Sequence, residues 1–249
     1  MSHVTLSEQG AVALVVFQRE GGNALDASLA RDMAAALEEV DQRPHLGATV
    51  LAAEGRHFCS GASLGGAGEF DPEPIYSAAL RIFAVRKPIV AAVQGSAIGG
   101  GLGLALTADF RVVTPKTRLS ANFVKIGIHP GFGMTVTLPR LVGPQAAALL
   151  CLTGRRIGGE QALALGLADM MSPPDALRAQ ALSFAAELAE GAPLSLEATR
   201  ATLRLGLVEA VERQLKLEIS EQRRLFRTTD FREGVQAVQE RRAGQWTRS

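Results

Sequence analysis

A chain of 249 residues with 26 basic and 25 acidic side chains and a formal net charge of +1 is long enough for one sizeable domain with a large core. Its balanced charge favours neither nucleic acid nor an anionic membrane as a partner. Cys59 and Cys151 form no CxxC pair or disulfide framework, and the four histidines show no metal-ligand spacing, so the expectation is a reducing compartment and no metal.

MSHVTLSEQG has no basic segment followed by an apolar stretch, and no uninterrupted apolar run approaches about 18 residues. The expectation is a soluble, unexported, cytoplasmic chain. Residues 4–7 and 12–18, on either side of Glu8-Gln9-Gly10, predict an opening β-hairpin. Gly21-Gly22-Asn23 reads as a turn and Asp26 as the cap of a helix. In that helix Leu29, Met33, Leu37 and Val40 recur at helical spacing and form a core stripe. Residues 48–53 predict a buried strand leading into the loop 55–64. The stretch 65–74, GGAGEFDPEP, predicts a lid carrying Glu69, Asp71 and Glu73. A helix is expected over 75–85.

The chain is organised around residues 87–109, KPIVAAVQGSAIGGGLGLALTAD. Residues 88–93 predict a buried strand, and 95–98 a glycine-rich turn. Gly99, Gly100 and Gly101 open an apolar segment that reads as a buried helix. At a helix N-terminus the first N–H groups lack intrahelical partners and carry the positive end of the dipole, so they can face an anion or a developing oxyanion. The pattern G-x-G-x-x-G fails in every register because Leu104 and Leu106 stand at its last position, and no Gly-Lys-Ser/Thr exists. Those donors therefore point to something other than a nucleotide phosphate.

Residues 110–113 and 118–123 predict two further strands, and 125–133 a loop carrying His129. This β/α alternation implies a layered α/β core. Strand signals nearly vanish from Met134 onward, and helices are expected over 146–152, 160–165, 176–190, 194–205, 208–227 and 230–241.

AAVQGSAIGGGLGLALTADFRV resembles the central motif of the crotonase superfamily (enoyl-CoA hydratase/isomerase family). So do GGNALD at 21–26, HFCSGASL at 57–64, KIGIHPGFGMTVTLPRLVG at 125–143, TGRRIGGEQALALGLAD at 153–169 and TTDFREGVQAVQERR at 228–242. The resemblance implies an α/β spiral of β-β-α turns over 1–190. It also implies a C-terminal helical region, 191–249, that builds a homotrimer or dimer of trimers. Two backbone donors, Ala62 and Gly100, are implied as an oxyanion hole for a thioester carbonyl. Ala24, Ser63 and Leu64 match positions that hold the CoA moiety, which arrives as part of the substrate with no separate cofactor. Arg19 and Arg56 are further candidates for the CoA phosphates.

The resemblance also places catalytic acids, and this sequence lacks them. The two glutamate positions of hydratases map to Gly103 and Phe123, and the acid of some isomerase-like relatives maps to Gly131. Standard water addition is therefore expected to be very weak. His129 is a candidate substitute acid/base, as are the lid carboxylates. Cys59 and Ser60 adjoin the oxyanion loop without an evident base, and Ser63 stands where the family often has aspartate. Three readings stay open: an acyl-CoA enzyme stabilising a thioester enolate, a decarboxylase or thioester hydrolase on the same fold, and a catalytically silent acyl-CoA binder. A serine protease of a related fold is disfavoured because no Ser/His/Asp set occupies the required positions.

Overall fold

The computed structural model describes residues 2–63 and 70–249. β1 (Ser2–Gln9) and β2 (Val12–Arg19) form the expected hairpin. β3 (Ala48–Ala53), β4 (Ile89–Val93), β6 (Phe110–Val113) and β9 (Met170–Met171) add in parallel, giving a sheet in the order β1-β2-β3-β4-β6-β9. β5 (Ser96–Ile98), β7 (Arg118–Ser120) and β8 (Arg156–Gly158) form a second, three-stranded sheet.

Side chains alternate across the large sheet. Val12, Leu14, Val50, Val90 and Val112 face α6 (Leu177–Ala189) through its Leu177, Ala181 and Ala185. Ala13, Val15, Leu51, Ala91 and Val113 belong to the larger core on the other face, together with α1 (Ala27–Asp41), α2 (Glu73–Ala84) and α3 (Gly100–Thr107). Both faces are covered, which is why β3 and β4 are buried throughout.

The expected cap at Asp26 is present, its carboxylate accepting from Leu29 N at 2.8 Å. Between β4 and β5 the chain turns at Gly95, whose φ is 56° and where a Cβ would lie 2.0 Å from the Arg56 carbonyl oxygen. Only glycine fits there.

Several boundaries differ from expectation. The strand expected over 118–123 ends at Ser120 and passes into a 3₁₀ turn, Asn122–Ile126. α4 (Met134–Thr153) begins well before residue 146, with Pro139, Gly143 and Pro144 inside it. Gly143, at φ 78° and ψ 161°, breaks the helical path before Pro144, so sequence rules for helix termination mark a kink. This helix is long and apolar enough by composition to cross a membrane. It is instead kinked and packs Met134, Leu138, Ala147 and Leu150 into the core.

α5 (Gly159–Ala164) connects β8 to β9. Three helices follow α6: α7 (Pro193–Leu203), α8 (Leu207–Leu225) and α9 (Thr229–Gln239). Asp109 fastens α7 to the core by accepting from Arg200 Nε at 2.9 Å, Arg204 Nη1 at 2.9 Å and Ile89 N at 2.9 Å. α8 packs on α2 and α4, and α9 packs on the 3₁₀ turn.

Candidate functional site

The stretch 57–63 is held on both sides. Asn23, at φ 60°, donates from Nδ2 to the Glu54 and His57 carbonyls, both at 2.8 Å, and accepts from Arg19 N at 2.7 Å. His57 Nδ1 accepts from Ser96 N at 3.2 Å, and burial, with Arg56 nearby, holds its pKa below the ordinary range. Cys59 pairs with Ala97 in parallel, and Ala62 pairs with Leu25.

The second bridge fixes a direction. Leu25 N donates to Gly61 O and Ser63 N donates to Leu25 O, both at 2.8 Å. In a parallel pair the intervening residue turns its own N–H to the opposite side. Ala62 N–H therefore points away from Leu25, and it donates to no backbone acceptor among the described residues.

Gly99 caps α3 at φ 53° and ψ −117°, placing Gly100 as the first helical residue, with an N–H that has no intrahelical acceptor. A Cβ on Gly100 would stand 3.7 Å from Ala62 N. Gly100 thus lies within van der Waals reach of the Ala62 amide nitrogen. The glycines of the triplet differ in what they require: a Cβ on Gly101 would lie 2.3 Å from Cys59 O, whereas one on Gly100 would meet only ordinary contacts. Packing requires glycine at Gly101 and leaves room for a first side-chain carbon at Gly100.

Beside these amides is a cavity of about 170 Å³. Leu25, Ile75, Ile98, Phe123 and Phe132 give it apolar walls, and Gly99, Gly100, Gly61 and Ala62 line one end. Tyr76 and Gln222 also line it. Tyr76 Oη donates to Gln222 Oε1 at 2.9 Å, and Gln222 Nε2 donates to the His129 carbonyl at 2.8 Å. Burial, with Glu218 nearby, drives the Tyr76 phenol far above its ordinary pKa, so it stays protonated as a donor.

The three positions expected to hold acids in hydratases and isomerases are filled by other groups. At Gly103 a Cβ would lie 2.5 Å from Phe132 Cβ and 2.7 Å from its Cγ. At Gly131 a Cβ would lie 1.7 Å from Tyr76 Oη. Phe123 is buried and lines the cavity. Among the described residues no aspartate or glutamate lines it.

His129 sits in its expected loop, but its Nδ1 lies 2.6 Å from the Pro130 carbonyl, and Ile128 and Phe132 line the cavity in its neighbourhood. Its main-chain carbonyl, not its ring, meets the Tyr76–Gln222 pair. Cys59 is buried, and desolvation pushes its thiol up to about 11, which disarms it as a nucleophile. Ser60 Oγ donates to Gly21 O at 3.3 Å. Asp71 and Glu73 both pair with Arg223, so these two lid acids are engaged at the surface. Leu64 and Glu69 lie outside the described residues. Ala24 offers its carbonyl to Arg19, which also pairs with Asp26 at 2.9 Å; Arg56 is exposed.

Sequence reasoning gave no role to Tyr76, Asn122, Phe132, Glu218 or Gln222, although Asn122 and Phe132 lie in the stretch ANFVKIGIHPGFG. Tyr76 is the sole tyrosine, the one signal that was available. Glu218 is fully buried and accepts from Gly133 N at 2.8 Å and from Thr135 N and Oγ1 at 3.2 and 2.6 Å. It caps the N-terminus of α4, and burial raises its pKa despite these donors. Among the described residues no three His, Cys, Asp or Glu side chains gather as a metal site.

The family model described as enoyl-CoA hydratase/isomerase matches residues 7–249. A probable enoyl-CoA hydratase of Mycobacterium tuberculosis is 35% identical over 250 residues, covering 96% of this chain and 98% of that one. A putative enoyl-CoA hydratase of Thermus thermophilus is 35% identical over 246 residues, covering 94% and 97%. The crystal structure of an enoyl-CoA hydratase/isomerase from Pseudoalteromonas atlantica superposes with a TM-score of 0.89 at 29% identity, covering 98% of this chain and 99% of that one. That of a carnitinyl-CoA hydratase from Mycobacterium avium gives 0.87 at 28%, covering 99% and 98%.

Proposed function

The chain belongs to the enoyl-CoA hydratase/isomerase family, and from that premise we propose that it binds a short acyl-CoA thioester and stabilises its enolate between the amides of Ala62 and Gly100. The observation that carries this reading is the 3.7 Å approach of Ala62 N to the Cβ position of Gly100 at the end of an apolar cavity. A thioester oxygen placed there accepts two main-chain N–H groups where water is scarce. Such preorganised donors are commonly the largest single contribution to catalysis. An apolar cavity of roughly 150 Å³ holds a benzene ring, so about 170 Å³ suits an acyl portion of similar size. Ala24, Ser63 and Leu64 are the positions assigned to the CoA moiety, by resemblance.

The cavity's lack of carboxylates among the described residues favours a reaction that makes its enolate without a side-chain base. Decarboxylation is one: the bond from the α-carbon to the carboxylate breaks, its electron pair enters the thioester enolate, carbon dioxide leaves and solvent supplies the proton. Hydration of an enoyl thioester needs a placed acid and base and is expected to be slow. Thioester hydrolysis and a silent binder of acyl-CoA remain the competing outcomes. We also propose a homotrimer or dimer of trimers in the cytoplasm, with no partner beyond the thioester and other copies of the chain.

The test combines crotonyl-CoA and malonyl-CoA turnover with affinity for CoA esters. Binding with little crotonyl-CoA hydration is the expected result; rapid hydration overturns the argument from absent acids. Where any turnover is found, Gly100→Pro removes one N–H at the first helical position, which tolerates proline, and is expected to lower kcat about 10²–10³-fold. Gly100→Ala keeps the N–H and should retain most activity.

A further inference from the structure

The cavity's polar side chains are not equivalent. Tyr76 and Gln222 hydrogen-bond to each other, and Gln222 is further engaged by the His129 carbonyl. Ser60 is turned to the Gly21 carbonyl. Asn122 also lines the cavity. Its carboxamide makes no hydrogen bond to any described residue, although an amide offers two donors and an acceptor.

Its place is specific. Asn122 is the first residue of the 3₁₀ turn that replaces the end of the expected strand. Its Oδ1 lies 3.1 Å from the position a Cβ on Gly99 would take, and the α-carbons of Gly99 and Gly100 are about 3.8 Å apart. The amide therefore stands next to Gly99 and Gly100, and Phe123 and Phe132 line the same cavity. Asn122 is half-buried, so a saturated or olefinic acyl chain gains no hydrogen bond from this amide. An oxygen one or two carbons beyond the thioester carbonyl would satisfy it.

We propose that Asn122 is a specificity-determining residue: its NH₂ donates to an oxygen on the β-carbon of the acyl group, so that the preferred thioesters are short 3-oxoacyl or 2-carboxyacyl (malonyl-type) esters. This rests on the thioester reading above. One neutral hydrogen bond of ordinary strength amounts to a preference of roughly fivefold.

Calorimetric titration of the full chain with acetoacetyl-CoA, malonyl-CoA and butyryl-CoA tests it, with Asn122→Leu as the near-isosteric variant and Asn122→Ala in reserve should leucine impair folding. The wild type is expected to bind at least one of the two oxygenated esters about fivefold more tightly than butyryl-CoA. Asn122→Leu should erase that preference, with the oxygenated esters losing affinity relative to butyryl-CoA. Preference for acetoacetyl-CoA alone assigns a 3-oxo group, and preference for malonyl-CoA alone assigns a carboxylate. Equal binding of all three esters, or a preference that survives in Asn122→Leu, overturns this inference and leaves the thioester reading intact. Failure of all three to bind overturns both.

Discussion

Gly103 and Phe132 occupy one space between them, the ring standing where any side chain on the glycine would project. Gly103→Ala forces a methyl to within 2.5 Å of Phe132 Cβ, and overpacking of this kind typically costs about 1–3 kcal/mol. A lowered midpoint in urea unfolding checks that. Gly103→Glu alone should be destabilised further and gain no hydratase activity, whereas adding Phe132→Gly should recover part of the lost stability. That Gly103, Phe123 and Gly131 carry no acid could be read from residue type alone, with the GGG motif fixing the register at Gly103. What fills those places was not legible. Phe132 and Tyr76 arrive from distant segments, and no local pattern records that they point at glycines.

At the scale of elements, α8 governs the loop that closes the cavity. Glu218 on α8 accepts from Gly133 and Thr135 at the start of α4; its removal in Glu218→Ala strands those donors and should cost about 1–3 kcal/mol. Its pKa is raised from 4.5 by burial, so its contribution to stability is full below about pH 4.5 and is lost as pH rises through the folded value. Glu218→Gln, which cannot ionise, should flatten that part of the stability profile, read from urea midpoints across pH. The large elements follow from the sequence with small shifts: β3 and β6 fall on the expected residues, and α1 has its expected cap. β5, β8 and β9, of three, three and two residues, are too short for alternation to register and exist because their neighbours supply the ladder. The first half of α4 was hidden by Pro139, Gly143 and Pro144, whose backbone constraints read as termination when the packed core tolerates a kink.

Across the whole molecule, the outer surface of the C-terminal half carries large apolar side chains: Leu194 is 83% exposed, Leu203 70% and Leu205 85%. Apolar surface of this kind marks an interaction site when it is contiguous, and it supports the proposed self-association. Light scattering on size-exclusion fractions should report an assembly larger than 26.2 kDa, and Leu194→Glu combined with Leu205→Glu should shift it toward the single chain. The spiral itself was legible only through the family resemblance, since β/α alternation specifies layers and leaves the order of strands open.

The cavity wall runs from Leu25 near the beginning of the chain to Val238 in α9. No partly folded form that leaves either end undocked retains an intact binding surface, so ligand binds the native state in preference to the unfolded one. A compound present at 100 times its Kd then adds about 2.7 kcal/mol to the native state. Melting temperature becomes a reporter of occupancy, and a panel of thioesters screened by dye fluorescence should identify the cognate acyl group before any reaction is known.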